Sequence, residues 1–245
     1  MTQRILIVGA TSAIAQEAMK LWAGQGCSLF LVGRDAAKLK AVAADAKVRG
    51  AEVVTGVYDS AMDVKALAKL VTKVWTTWDG LDGVLLAHGW LPVQEKVQDD
   101  AADVAEVTAV NGVSVIQLLA LLAPKFEEQR HGWLAGISSV AGDRGRAKMY
   151  VYGGAKALVQ HWLEGVRQRL SPVGVRVIDI RPGPVATPMT AGLKMPLMAE
   201  AAVVGAGVVR ACARANGTVY LPGIWGWIML VLKHIPTVVW VRMKI

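Results

Sequence analysis

Short apolar runs alternate along the chain with longer segments in which apolar residues recur every three or four positions. The short runs are apolar at almost every position, which is typical of strands in a parallel sheet that helices cover on both faces. The pattern predicts these strands: Arg4–Val8, Ser28–Val32, Glu52–Val57, Gly83–Ala87, Gly132–Ile137, Val175–Ile180 and Gly217–Leu221.

The segments with helical periodicity fall between these strands. They are Ile14–Trp22, Ala36–Val48, Met62–Trp75, Ala101–Phe126, Tyr152–Leu170 and Glu200–Ala213. Such alternation indicates βαβ units, and no internal repeat, linker or low-complexity tract divides the 245 residues. The sequence therefore predicts one doubly wound α/β domain, with a central parallel sheet of about seven strands and helices on both faces.

Composition narrows the choice of partners. The chain has 27 basic and 19 acidic residues, a net charge of +8, which favours a phosphorylated cofactor, a phosphorylated substrate or a membrane surface. The basic residues are scattered, so we expect no nucleic-acid partner. The two cysteines, Cys27 and Cys212, lack a CxxC or Cys/His neighbourhood. We therefore expect no metal site and a reducing, cytoplasmic location.

The first predicted strand runs into a turn of small residues and then a helix. This turn, Gly9-Ala10-Thr11-Ser12-Ala13-Ile14-Ala15, would let backbone N–H groups approach a pyrophosphate at the helix N-terminus. Thr11 and Ser12 would add hydroxyl donors and a helix cap. Small residues also occur wherever a helix packs closely on a strand, so the turn alone leaves both interpretations open.

The second and third strands end in residues suited to the adenosine half of a dinucleotide. Gly33 leaves room at the tip of the second strand, and the guanidinium of Arg34 suits the 2′-phosphate of NADP(H) rather than the free ribose of NAD(H). Asp59, after the third strand, could accept a hydrogen bond from an adenine amino group. A solvated loop arginine and a turn aspartate are the alternatives.

A tyrosine and a lysine lie four residues apart in Tyr152-Gly153-Gly154-Ala155-Lys156. On a helix they share one face, where a nearby ammonium would lower the phenol pKa from its usual value of about 10. This spacing alone is more often structural. Ser138-Ser139 follows the fifth strand and can hold a carbonyl oxygen. Asn111, inside the long fourth helix, can hold a water that links Lys156 to solvent.

Together these motifs resemble the short-chain dehydrogenase/reductase superfamily along the whole chain. The resemblance implies an NAD(P)(H)-dependent oxidoreductase with a Rossmann domain, in which Tyr152 transfers the proton and Lys156 lowers its pKa and binds the nicotinamide ribose. Ser139 would orient the substrate oxygen, and Asn111 would support the proton relay. The implied cofactor contacts are Gly9, Thr11, Ser12, Ile14, Arg34, Asp59, Ala87, Gly89, Tyr152, Lys156, Pro182, Gly183, Val185 and Thr187.

Two motifs depart from the family pattern. Ala13 and Ala15 replace the later glycines of the family's GxxxGxG turn, and the family's Asn-Asn-Ala-Gly after the fourth strand reads Leu86-Ala87-His88-Gly89. Each alanine adds only one methyl group to the turn. His88 could replace the missing polar brace, act as a catalytic group or be an ordinary buried histidine.

A narrower resemblance lies in the run Gly142-Asp143-Arg144-Gly145-Arg146…Tyr150-Val151-Tyr152-Gly153, in Thr187-Pro188-Met189-Thr190 and in an apolar, tryptophan-rich tail. These are similar to decaprenylphosphoryl-2-keto-pentose reductases, which reduce a keto sugar carried on a polyprenyl phosphate at the membrane. A lipid-linked or hydrophobic carbonyl substrate is implied. Arg144, Arg146 and Lys148 lie between Ser139 and Tyr152, so their loop should border the substrate mouth and could hold a phosphate; the alternative is a solvated loop in which Asp143 pairs with one arginine. Two alternatives stay open: a soluble reductase of 3-oxoacyl thioesters, steroids or small ketones, and a non-catalytic dinucleotide-binding module. Homo-oligomers are common among such relatives.

The tail divides the chain into a catalytic domain, residues 1–222, and an apolar extension, residues 223–245. A helix from Ile224 to His234 would be about 16 Å long, too short to cross roughly 30 Å of hydrocarbon, and Pro236 should end it. Tryptophan favours the membrane interface. We expect the tail to lie peripherally on the inner face of a membrane. A subunit contact and a lid over an apolar substrate pocket are the alternatives.

Overall fold

Seven of the strands in the computed structural model, which describes residues 2–59, 63–193 and 195–243, form one parallel sheet. The strands are β1 (Arg4–Val8), β2 (Ser28–Gly33), β3 (Glu52–Val57), β4 (Gly83–Leu86), β5 (Trp133–Ile137), β6 (Arg176–Pro182), β7 (Val185–Ala186), β8 (Ala199–Glu200) and β9 (Gly217–Leu221). Short β7 and β8 pair only with each other. The predicted parallel sheet of seven strands is confirmed.

Helices follow almost every strand of the large sheet. They are α1 (Ala13–Gly24), α2 (Ala36–Val48), α3 (Val64–Thr77), α4 (Gln94–Val97), α5 (Ala101–Thr108), α6 (Ser114–Gln129), α7 (Tyr150–Leu170), α8 (Ala201–Arg214), α9 (Ile224–His234) and α10 (Thr237–Trp240). A π-helical turn, Ala109–Val113, joins α5 to α6. The predicted break at Pro236 lies between α9 and α10.

The strand order places a crevice at the middle of the sheet. Its order is β3-β2-β1-β4-β5-β6-β9, so the chain moves outward from β1 in one direction, then returns to β4 and continues in the other. In such sheets ligands bind outside the carboxyl ends of the strands where the direction reverses. The turns after β1 and β4 are therefore where a functional cleft is expected.

Alternate residues of each central strand enter two separate cores. In β1, Ile5 and Ile7 pack with α1, α2 and α8 on one face, and Leu6 and Val8 pack with α3, α6 and α7 on the other. Because side chains alternate across a strand, a fully apolar run can fill both cores at once. This packing fixes the sheet and therefore the loops at its carboxyl edge.

The long helix predicted over Ala101–Phe126 is divided in the structure. The π-helical turn interrupts it, and α6 continues to Gln129. At this turn a Cβ on Gly112 would lie 3.2 Å from the carbonyl oxygen of Ala155 in α7, so the two helices approach closely there. Short α4 and the β7–β8 pair have too few residues to show a periodic pattern. The predicted start of α3 at Met62 lies outside the described residues.

Residues Ala101–Gln129 are long and apolar enough, by length and composition, to cross a membrane. Within this segment, half of the most apolar 18-residue stretch is buried inside the protein. Leu118, Leu119 and Leu122 are almost fully buried in the core between α6 and the sheet. The segment therefore packs as a core helix.

Candidate active site

A cleft of about 720 Å³ lies at the carboxyl ends of the strands, between the turn after β1 and the N-terminal half of α7. Most of the residues singled out in the sequence line it. They are Gly9, Thr11, Ser12, Ile14, Arg34, Ala87, Gly89, Ser139, Arg146, Tyr152, Lys156, Pro182, Gly183, Val185 and Thr187. Asn111, Asp59 and Arg144 are not in this lining.

The turn after β1 requires glycine at its first position. Gly9 has a φ of +81°, and a Cβ there would lie 2.5 Å from the backbone nitrogen of His88. The N–H groups of Gly9 and Ala10 both donate to the carbonyl oxygen of Val32 at 2.9 Å. Only glycine allows this close approach of the turns that follow β1 and β4.

The N-terminus of α1 has no side-chain cap. Ser12 occupies the cap position but makes no capping hydrogen bond, so the expectation that it caps the helix is wrong. Its hydroxyl lines the cleft together with that of Thr11. The first N–H groups of α1 and its dipole are thus left for an anionic ligand.

At the end of β2, Arg34 is exposed and lines the cleft. The next residue, Asp35, accepts hydrogen bonds from the N–H groups of Ala37 and Lys38, both at 3.0 Å, and so caps α2. The Asp35 carboxylate, which follows the tip of β2, is therefore already hydrogen-bonded to the first N–H groups of α2. Asp59 is exposed and follows Tyr58, which does line the cleft; its contact with adenine stays a prediction.

Tyr152 and Lys156 lie on one face of α7 and reach the cleft together. The Nζ of Lys156 lies 5.7 Å from the centre of the Tyr152 ring and donates to the carbonyl oxygen of Ile137 at 3.2 Å. A Cβ on Gly153 would lie 2.7 Å from the carbonyl oxygen of Ala141. This glycine therefore lets α7 pack closely against the turn that follows Ser139.

Burial sets the protonation of this pair. It raises the pKa of Tyr152 to about 12, an effect opposed by a hydrogen bond with Ser139. Burial also lowers the pKa of Lys156 to about 8, opposed by the charge of Asp179. The sequence predicts that Lys156 lowers the phenol pKa; in the structure the largest effect on that pKa is burial, which raises it. Tyr152 is therefore protonated at neutral pH.

The two serines after β5 have different surroundings. Ser139 Oγ accepts a hydrogen bond from the N–H of Ala141 at 3.1 Å, so its own proton can go to the Tyr152 oxygen or to a substrate oxygen in the cleft. Ser138 is buried, and its hydroxyl donates to the carboxylate of Asp179. Of the pair, Ser139 is thus the one with a hydrogen-bonding group left for the cleft.

Asn111 lies directly behind the cleft wall. It is fully buried in the π-helical turn, where its Oδ1 accepts from the N–H of Trp90 at 2.9 Å and its Nδ2 donates to the carbonyl oxygen of Val107 at 3.1 Å. A Cβ on Gly89 would lie 2.6 Å from Asn111 Oδ1 and 3.4 Å from Lys156 Nζ. The Asn111 amide and the Lys156 ammonium therefore both lie close to Gly89, and a side chain at this position would contact both.

His88 forms a polar brace between β4 and α6. Its Nε2 lies 2.9 Å from the Oγ of Ser114, and Ser114 donates its single proton to the carbonyl oxygen of Val110 at 2.8 Å. Nε2 is therefore the donor. Burial first, and then the charge of Lys156, lowers the pKa of His88 to about 3, so the ring is neutral. His88 also lines the cleft, and its Nδ1 has no hydrogen-bond partner among the described residues.

The two loop arginines point to different places. Arg146 lines the cleft, and its Nε is buried without a hydrogen-bond partner among the described residues. Arg144 instead donates to the carbonyl oxygens of Leu232 and Lys233 and stacks on Trp240. The expectation that Arg144 borders the substrate mouth is therefore wrong, because the aromatic tail binds its guanidinium. Asp143 pairs with Arg181 at 2.6 Å rather than with either loop arginine.

Sequence reasoning missed several cleft residues. Tyr58, Glu106, Met149 and Met195 line the cleft but belong to no motif. Trp225 also lines it, and a Cβ on Gly183 would lie 2.0 Å from the Trp225 Nε1. The tryptophan-rich tail was the sequence feature that could have predicted this contact. The inner face of the extension does cover part of the pocket, as one of the alternatives for the tail proposed.

Comparison with known proteins places the chain in a family. A family model described as short chain dehydrogenase matches residues 3–196. An uncharacterised oxidoreductase of Mycobacterium tuberculosis is 32% identical over 240 residues, which cover 98% of this chain and 96% of that protein. Another from Streptomyces coelicolor is 29% identical over 233 residues, covering 95% and 92%.

Solved structures share the fold. A short-chain dehydrogenase from Sphingobium yanoikuyae in complex with NADPH has a TM-score of 0.81 at 23% identity, covering 96% of this chain and 97% of that one. Levodione reductase has a TM-score of 0.79 at 24% identity, covering 90% and 96%. The chain thus belongs to the short-chain dehydrogenase family, as the resemblance predicted, and it is an oxidoreductase.

Proposed function

We propose that this oxidoreductase uses NADP(H) to reduce the keto group of a hydrophobic substrate that carries an anionic group. The observation that carries the proposal is the convergence of Ser139, Tyr152 and Lys156 in one cleft with the glycine turn after β1. That convergence brings a hydroxyl pair, a buried ammonium and an anion-binding helix terminus within reach of one bound dinucleotide and one carbonyl.

The chain's own residues fit a phosphorylated dinucleotide. The uncapped N-terminus of α1 suits the pyrophosphate, and Arg34, next to Gly33, suits a 2′-phosphate. The NADPH complex of the structural neighbour from Sphingobium yanoikuyae supports this choice. When bound, the reduced nicotinamide supplies a hydride to the carbonyl carbon.

Tyr152 and Ser139 act on the carbonyl oxygen. Tyr152, protonated at neutral pH, donates its proton as negative charge develops on that oxygen. Ser139 donates a second hydrogen bond, because its Oγ already accepts from Ala141. Lys156 keeps two further N–H donors beyond its bond to Ile137 and holds a cofactor ribose hydroxyl. Asn111 holds the backbone behind Lys156 and can bind a water there.

The cleft walls suit a long apolar substrate. Trp225, Met149, Met189 and Met195 line it, and so does Arg146, whose buried Nε has no hydrogen-bond partner among the described residues. Burial lowers the pKa of Arg146, and the charge of Asp143 only partly opposes this effect, so an anion on the substrate would stabilise the guanidinium. A keto sugar on a polyprenyl phosphate combines these features, and the short motifs around Arg146 favour it. A small neutral ketone would leave Arg146 unpaired.

The test is turnover of matched carbonyl substrates with NADPH. A long-chain keto compound with a phosphate group is compared with its dephosphorylated form and with a short neutral ketone. We expect the phosphorylated compound to have the highest kcat/KM, and NADPH to be preferred to NADH. The highest kcat/KM for the short ketone would instead favour the soluble small-ketone reductase. NADPH binding without turnover of any carbonyl would contradict the proposed reaction.

A further inference from the structure

The C-terminal segment, Gly223–Met243, is built into the cleft wall on its inner side. Trp225 and Met229 of α9 are buried against Val140, and Tyr220 and Leu232 pack around them. Trp225 also lines the cleft. The position of α9 is therefore fixed relative to the active-site mouth.

The outer side of the same segment is also apolar. Trp227 is 73% exposed and Val231 is 65% exposed, one turn apart on α9. Beyond Pro236, Val238 is 70% exposed. The other large apolar side chains exposed here are Ile224, Leu230, Val239, Val241 and Met243. A helix that is apolar on both its buried and its exposed face lacks the polar side of an ordinary surface helix, and a patch of this kind marks an interaction surface.

The charges around this surface are cationic. Lys233 and Arg242 lie on the segment, and the sequence has no Asp or Glu between Ala201 and Ile245. The loop Asp143–Met149 adds exposed Lys148, while the side chain of Asp143 is buried in its ion pair with Arg181. A surface that is apolar in the middle and basic at its edge complements an anionic bilayer. A second copy of the same surface would bring like charges together.

We propose that Gly223–Met243 docks the enzyme on an anionic lipid surface. Helix α9 has 11 residues, about 16 Å of length, so it lies in the plane of the interface, where Trp227 enters the boundary between headgroups and acyl chains. The basic residues meet lipid phosphates. The binding itself is independent of the proposed reaction, whereas its purpose, delivery of a lipid-borne substrate, rests on that proposal.

Arg144 connects this docking surface to the loop Asp143–Met149, which also carries Arg146. Its guanidinium lies 4.2 Å from the centre of the Trp240 ring and donates to the carbonyl oxygens of Leu232 and Lys233 at the end of α9. In return, Trp240 Nε1 donates to the carbonyl oxygen of Gly145 at 3.0 Å. These contacts link the loop that carries Arg146 directly to the docked segment.

The test is co-sedimentation of the full-length protein with phosphatidylcholine vesicles, with and without phosphatidylglycerol. We expect binding to the anionic vesicles, weakened by high salt. Trp227→Glu and Val231→Glu should each reduce it at least about tenfold, since each removes an inserted apolar side chain. Val48→Glu is the matched control, because Val48 is 88% exposed on α2, outside the segment.

NADPH affinity, measured in the absence of vesicles, should be the same in all three variants. This measurement distinguishes a loss of membrane binding from a loss of cofactor binding. Failure of vesicle binding with intact NADPH-dependent turnover would overturn the docking surface alone. Failure of turnover with intact vesicle binding would overturn the proposed function alone. Equal loss of vesicle binding in Val48→Glu, or variants that change only the oligomer size in sedimentation velocity, would also reject lipid as the occupant.

Discussion

The ammonium of Lys156 donates a hydrogen bond to the carbonyl oxygen of Ile137 at 3.2 Å, at the end of the central strand β5. The same buried region contains Asp179, which accepts from the Ser138 hydroxyl and forms an ion pair with Arg181 at 2.6 Å. Lys156 is thus a cation fixed by backbone geometry in a site that penalises its charge. Asp179 partly offsets that penalty.

This arrangement predicts how turnover depends on pH. The pKa of Lys156 is lowered to about 8, so its ammonium is present below that pH and is lost as the pH rises through it. Tyr152, with a pKa of about 12, and His88, with a pKa of about 3, keep one protonation state between pH 5 and 9. We expect kcat/KM for NADPH-dependent reduction to fall on the alkaline side of about pH 8.

Asp179→Asn tests the origin of that alkaline limb. Removal of the carboxylate leaves the burial of Lys156 unopposed, so its pKa should fall and the limb should move to lower pH. Arg181 keeps its second partner, Asp143, and asparagine keeps the shape of the side chain. Far-ultraviolet circular dichroism checks the fold. Superimposable pH profiles of kcat/KM for the two proteins would show that Asp179 does not support the ammonium.

Tyr152→Phe should reduce kcat about 10²–10⁴-fold, because a positioned proton donor contributes that much. The affinity for NADPH should hardly change, since the hydroxyl is assigned to the carbonyl and not to the cofactor. Tyr150→Phe is the matched control: Tyr150 begins the same helix and is exposed. Single-turnover measurements with a saturating carbonyl substrate separate the chemical step from binding. More than half of the wild-type rate in Tyr152→Phe would refute its role.

The apolar runs and the helical periodicity predicted the sheet, because they report burial on each face of a strand or helix. The family resemblance implied the site residues, most of which line the cleft. Neither signal contains the direction of a long surface side chain. Arg144 and Arg146 are two residues apart and equally basic, yet one stacks on Trp240 and the other enters the cleft. That choice depends on contacts with a segment about ninety residues later, which no local pattern encodes.

The burial of Tyr152 is likewise not contained in a local sequence pattern. Its spacing from Lys156 shows that the two share a helix face, but it does not show how deeply both are buried. Burial raises the pKa of Tyr152, and a hydrogen bond with Ser139, in the turn after β5, opposes that rise. Only the packed structure shows that desolvation is the larger of these two effects on the Tyr152 pKa.

Arg34 should determine the choice between NADPH and NADH. A charge-assisted hydrogen bond contributes about 1.5–3 kcal/mol, or roughly ten- to a hundredfold in affinity, and Asp35 is held at the N-terminus of α2. Arg34→Ala should weaken NADPH binding by that factor and leave NADH binding nearly unchanged. Arg49→Ala, at the other end of α2, should change neither. Fluorescence titration of both cofactors decides the matter, and equal wild-type affinities would exclude the preference.

Arg146 should determine the choice between charged and neutral substrates. Its Nε is buried in the cleft without a hydrogen-bond partner among the described residues, and burial lowers the pKa of the group. An anion on the substrate would supply the missing partner. Arg146→Ala should therefore raise KM for a phosphorylated ketone about tenfold or more, while kcat and the KM of its dephosphorylated form change little.

Lys148→Ala is the matched control, because Lys148 is exposed in the same loop and is not in the cleft lining. Steady-state kinetics of both substrates with each variant provide the measurement. An equal rise in KM for the two substrates in Arg146→Ala would mean that the side chain only shapes the cleft.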